Sequence, residues 1–177
     1  GTPVTSGGQR GAIHANSTGL YYCVTGSTLF GDTWRTLADS SSAGVFHVVG
    51  PWRVYDSRRA APGPQSPLTA GEFRNVSVAD ARDPGTGAVT HADVVPAGAT
   101  AIAYNVTVVN TTGTNGFLAI NPGANATVSA SAINWSAPNL TLANASVVGL
   151  NNRLITVICG GTATSCDFIV DVVGYYR

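Results

Sequence analysis

A chain of 177 residues with 44% hydrophobic side chains can bury a substantial core, which excludes an intrinsically disordered segment. Only 10% of the residues are charged and the net charge is zero, so the clustered basic excess of a nucleic-acid binder is missing. No apolar run approaches the roughly 20 residues that cross a bilayer as a helix, and membrane insertion is not expected.

All nine basic residues are arginine, Glu72 is the one glutamate, and methionine is absent. Val, Thr, Ser, Asn and Gly abound where helix formers are scarce, a mix that suits strands joined by tight turns. The chain opens at Gly1 with no signal peptide, and reads as a processed product or a piece of something longer.

Residues 1–10 (GTPVTSGGQR) are small and polar and read as a flexible leader. Residues 11–44 form a small β segment. In it Ile13, Leu20, Tyr22, Val24, Phe30, Trp34 and Leu37 lie among turn formers, with turns at Ser17–Gly19 and Gly31–Thr33. Two or three such short strands have little core of their own, so they should pack on a neighbour or another copy. The polar break ADSSSAG (38–44) marks the domain boundary, and residues 45–177 are read as the main β domain.

In that domain VFHVV and WRVYDSR read as the first two strands, and the three prolines of AAPGPQSPLTAG demand a loop. FRNVSVAD alternates with Val76 and Val78 on one face. ARDPGTGAVTHADVVPAGA is mostly loop with a short strand. In AIAYNVTVVN, Ile102, Tyr104, Val106 and Val108 recur at period two, the mark of a half-buried antiparallel strand. FLAIN and VSASAINW follow as strands, NLTLANASVVGL as two short ones, and LITVIC with FIVDVVGYY as a closing hairpin. About ten short strands at regular spacing indicate an all-β fold, an antiparallel β-sandwich of jelly-roll type, preceded by a small β-hairpin segment.

Cys159 and Cys166 bracket GGTATS between two strand-like flanks. A hairpin there would bring the sulfurs together, and a disulfide across so short a loop would contribute about 2–3 kcal/mol. Paired buried thiols are the other reading. A bridge would imply an oxidising compartment. Cys23 is left over, either as a buried inert thiol or in an intermolecular bridge.

PWRVYDSR, GATAIAYNVTVVN, NGFLAINPG, SASAINW, LANASVVGL and DFIVDVVGYY resemble, in this order, the successive signatures of a β-sandwich module. That module occurs in exported actinobacterial proteins and in the tail and fibre proteins of their phages. GAIHANSTGLYYCVTGSTLFGDTWRTL separately resembles the tip segment that precedes such modules in tail fibres, with LFGD in place of the usual Pro–Gly turn. The resemblance implies an appended, export-compatible sandwich at the extracellular or virion surface, without agreed catalytic residues. Asp56 with Arg58, and Asp171 before Gly174, then read as architecture.

Chemistry is sparse. His14, His47 and His91 are the only histidines and no G-x-S-x-G elbow is present, so no nucleophile–base pair is marked. Asp80, Asp83, Asp93 and Glu72 fall in loops without forming the facing pair that glycoside hydrolysis needs. The Asp80/Asp83 spacing fits no calcium loop, no zinc-type Cys/His spacing occurs, and no cofactor is expected. The N-x-[ST] sequons at Asn16, Asn75, Asn105, Asn110, Asn125, Asn134, Asn139 and Asn144 follow from an Asn- and Thr-rich strand vocabulary.

Binding offers more, because sugars stack on aromatic rings beside a few fixed polar groups. Trp135 with Asn134, and Trp52 with Tyr55, are the candidate ligand-binding residues, with a core role for Trp135 as the competing reading. The expected function is non-enzymatic recognition of a bacterial cell-surface glycan by the end of a tail fibre or similar appendage. Self-association as a homotrimer through the N-terminal segment accompanies it. A secreted structural or filament-forming module, or a cell-wall-associated one, is the first alternative, and a polysaccharide depolymerase the second.

Overall fold

The computed structural model describes residues 10–17, 19–25, 33–39 and 44–177. The flexible leader over 1–10, Phe30, the turn at Gly31 and most of the polar break 38–44 lie largely outside the described residues. Two compact units divide the chain, Gly1–Ala43 and Gly44–Arg177. No helix occurs among the described residues.

The first unit is an antiparallel meander of β1 (Ile13–Asn16), β2 (Gly19–Thr25) and β3 (Thr33–Asp39). Tyr21 and Cys23 are buried, whereas Leu20 and Tyr22 are exposed, and Ile13, cross-strand from Tyr22, is 66% exposed.

The second unit is built from β4 (Phe46–Asp56), β5 (Leu68–Thr69), β6 (Phe73–Ser77), β7 (Ala81–Arg82), β8 (Val89–His91), β9 (Ala101–Thr112), β10 (Gly116–Pro122), β11 (Ile133–Trp135), β12 (Leu142–Gly149), β13 (Leu154–Gly160) and β14 (Ser165–Tyr176). One sheet runs β12-β9-β14-β4, with β5 also paired to β14. The other runs β11-β10-β13-β6, and β7 pairs with β8 in a separate hairpin. Apart from the short β5, β7 and β8, successive strands alternate between the sheets except β10 and β11, which are neighbours in the second, and the order is that of an eight-stranded jelly roll.

The core lies between these sheets. Ile102, Tyr104, Val106 and Val108 of β9 face Leu118 of β10 and Ile155 and Val157 of β13, with Phe168, Val170 and Val172 of β14 beside them. The Tyr55 and Phe168 rings stack at 4.9 Å, and the Arg74 guanidinium lies over both. Arg74 Nη1 donates to the Tyr55 hydroxyl at 2.8 Å, so the one polar atom of that ring has a partner.

Four local expectations change. VFHVV and WRVYDSR are one strand, β4, carried through Gly50–Pro51 by a bulge opposite Val173; proline is tolerated at such an edge position. NLTLANASVVGL gives the single strand β12, and of VSASAINW only Ile133–Trp135 pairs. The closing hairpin is absent. β13 pairs with β10 and β6, β14 with β9 and β4, so Gly160–Ser165 arches from one sheet to the other across the core.

That arch changes the cysteine pair as well. Cys159 and Cys166 are free, buried thiols, and the expected disulfide is not formed. They meet from opposite sheets rather than along a hairpin, close enough for the two thiols to perturb each other's ionisation. That contact and burial push the Cys166 thiol far up, so it stays protonated.

Candidate functional site

A cleft of mixed chemistry lies at the free side of β4, where the β7–β8 hairpin packs against it. It encloses about 510 Å³ and is lined by Pro51, Trp52, Arg53, Arg82, Asp83, Pro84, Thr90, His91 and Asp171. The half-buried Trp52 ring contacts His91 at 4.5 Å with 39° between the planes. A bulge at Val54, between the pairs Asp171↔Arg53 and Val170↔Tyr55, re-aims the strand beside this cleft.

Its polar groups are held in place. Arg53 Nε donates to Asp171 Oδ1 at 2.9 Å, and Arg53 Nη1 lies 3.6 Å from Asp56 Oδ2. The Asp83 Oδ1 atom accepts from Gly85 N, Thr86 N and the Thr86 hydroxyl at 2.8–3.0 Å. The Thr86 and Gly85 hydrogen bonds hold the Asp83 carboxyl below its ordinary range, so it is ionised at neutral pH. Arg82 donates to the Gly87 carbonyl and enters no ion pair among the described residues. The cleft presents an aromatic face, a cation and two fixed carboxylates, a set that can stack on a ring and hydrogen-bond hydroxyl groups.

Beside the cleft, Asp56 is a buried structural anchor. Burial raises its carboxyl, but the Arg58 side chain at 2.8 and 2.7 Å and the Arg58 N–H outweigh that and hold it below the usual carboxylate range. Replacing Asp56 by asparagine is expected to cost about 2 kcal/mol at pH 7, the scale of a lost charge-assisted hydrogen bond. Because the folded pKa is depressed, the stabilisation is present above the unfolded value near 3.8 and is lost as pH falls through the folded one. Urea unfolding from pH 7 to 2.5 should therefore show the gap between wild type and Asp56→Asn closing below about pH 4.

The candidates from sequence divide. Trp52 lies in the cleft. Tyr55 is 1% exposed, and burial pushes its phenol up; it belongs to the core. Trp135 is 4% exposed, with its indole N–H donating to the Thr112 carbonyl at 2.9 Å and its ring over Gly116. Asn134 is exposed and donates to the Ser131 hydroxyl at 2.9 Å. A groove of about 580 Å³ runs beside Asn134 and Trp135, but the tryptophan turns its faces into the protein.

Asp83 and His91 appear in sequence only as unpaired loop residues, and Arg82 carries no mark at all. Their placement follows from the β7–β8 hairpin, for which DPGTG is the visible turn signal. The three histidines each contact an aromatic ring, His14 with Trp34, His47 with Tyr175 and His91 with Trp52. Among the described residues no three His, Cys, Asp or Glu side chains are grouped to hold a metal ion. Asp80 accepts the Asp93 N–H instead. Compared with family models, with curated proteins and with solved structures, the chain finds no match.

Proposed function

We propose that this protein is a non-enzymatic extracellular recognition module that binds bacterial surface glycan in the Trp52 cleft, at the end of a phage tail fibre or similar appendage. The observation that carries the reading is one half-exposed tryptophan walled by His91 and flanked by Arg82, Asp83 and Asp171 in a cleft of sugar size. The resemblance of the strand signatures to modules of exported actinobacterial and phage tail proteins supports the cellular setting. The exposed Ile13, Leu20 and Tyr22 of the N-terminal meander support its association as a homotrimer.

Isothermal titration with purified host envelope polysaccharide tests the site. Trp52→Ala should weaken binding about 30-fold, the effect of losing an aromatic anchor worth about 2 kcal/mol. The half-buried position of Trp52 should leave the variant folded by circular dichroism. Wild-type protein that binds no envelope glycan would favour a structural module, and release of reducing ends from the polysaccharide would favour a depolymerase.

A further inference from the structure

From Val94 to Asn152 the sequence contains no Asp, Glu, Lys, Arg or His. This stretch supplies β9 to β12, and β12 is the outermost strand of its sheet. Residues 143–147 of β12 are all exposed. An outer strand presents a row of backbone N–H and C=O groups that can pair with another strand, and proteins usually guard it with charge, proline, bulges or a covering element.

The other sheet edges of this unit carry such guards. β4 has Pro51, two register shifts, Arg53 and the β7–β8 hairpin against it. In the second sheet β6 carries Arg74 and β11 is three residues long. β12 has none of these. Its eight residues pair with β9 in unbroken register, from Leu142↔Val108 to Gly149↔Ala101.

We propose that β12 is the docking edge for a second copy of this chain, paired antiparallel with its own β12 about a twofold axis at Ala145. The sequence LANASVVG is self-complementary about that point. Ala145 meets Ala145 of the partner copy, Ala143 meets the partner's Val147, and Asn144 meets the partner's Ser146. Leu142 meets the partner's Val148.

Small residues face small or β-branched ones on the outer side, and two short polar side chains face each other on the inner side. With no charge on either strand, two copies approach without repulsion, which a charged peptide partner would gain nothing from. The pairing is isologous, so it closes at two copies through this edge. It joins the β12-β9-β14-β4 sheets of two copies into one and does not depend on the glycan site.

The test uses the full chain. Light scattering should give a mass for Ala145→Lys, and separately for Ala145→Glu, that is half the wild-type value at the same concentration. Each variant places like charges opposite one another at the axis. An equimolar mixture of the two should restore the wild-type mass, because Lys then faces Glu. Ala145→Cys should give a disulfide-linked pair on a non-reducing gel after air oxidation, while the buried native cysteines do not. A wild-type mass unchanged by either charged variant overturns the proposal. So does a mixture that fails to recover the mass, or an Ala145→Cys protein that stays unlinked.

Discussion

Replacing Trp135 by alanine is expected to destabilise the second unit by about 3–5 kcal/mol, the range for truncating a buried tryptophan. Trp135 ends the three-residue β11, is 4% exposed, and spends its indole N–H on the Thr112 carbonyl at the end of β9. Truncation opens a cavity and leaves that carbonyl without its donor. β11 pairs only with β10, so few backbone bonds remain to hold it. Chemical denaturation followed by circular dichroism measures the loss. A cost under about 1 kcal/mol, with glycan binding abolished, would return Trp135 to the surface role suggested by its sequence.

The second large effect sits across the strand. Gly116 is the direct partner of Trp135, and an added Cβ would lie 1.9 Å from the indole Cε2. The ring cannot swing away without breaking its bond to Thr112, so Gly116→Ala should cost about 2–3 kcal/mol through overpacking. A Gly116→Ala/Trp135→Ala protein separates that clash from backbone effects. Without the ring, alanine at position 116 should be neutral, or stabilising by up to about 1 kcal/mol, because it restricts the unfolded chain. Equal costs in both backgrounds would mean that the glycine serves backbone conformation, and the cross-strand packing account would fail.

The two tryptophans thus separate by stability. Loss of Trp135 weakens the fold and would lower any binding signal indirectly. Trp52 is the informative residue for recognition, since its truncation should spare the sandwich while emptying the cleft of its aromatic wall.

Much of the fold was legible locally. The period-two rows of β9 (Ile102, Tyr104, Val106, Val108) and β6 (Val76) are buried as their alternation requires. Glycine, proline and asparagine turns separated the strands and identified an antiparallel sandwich. Strand continuity was less legible, because Gly50–Pro51 reads as a break while a bulge at a sheet edge absorbs it. Cys159 and Cys166 were recognisable as neighbours, but short sequence separation resembles a hairpin whether the chain turns within a sheet or arches between two.

The candidate site was hardly legible at all. Trp52, His91 and Asp171 come from three distant stretches, and period and composition do not report which loop folds back on which edge. Period and turn chemistry, which act over a few residues, determined by themselves that this chain is all-β, where most strands begin, and which residues of β9 face inward. The tertiary structure alone decided that Trp135 is core, that Trp52 borders a cleft, and that β12 is left as an unguarded edge. Those outcomes depend on sheet order and strand register, which arise from long-range burial and backbone pairing that no local pattern encodes.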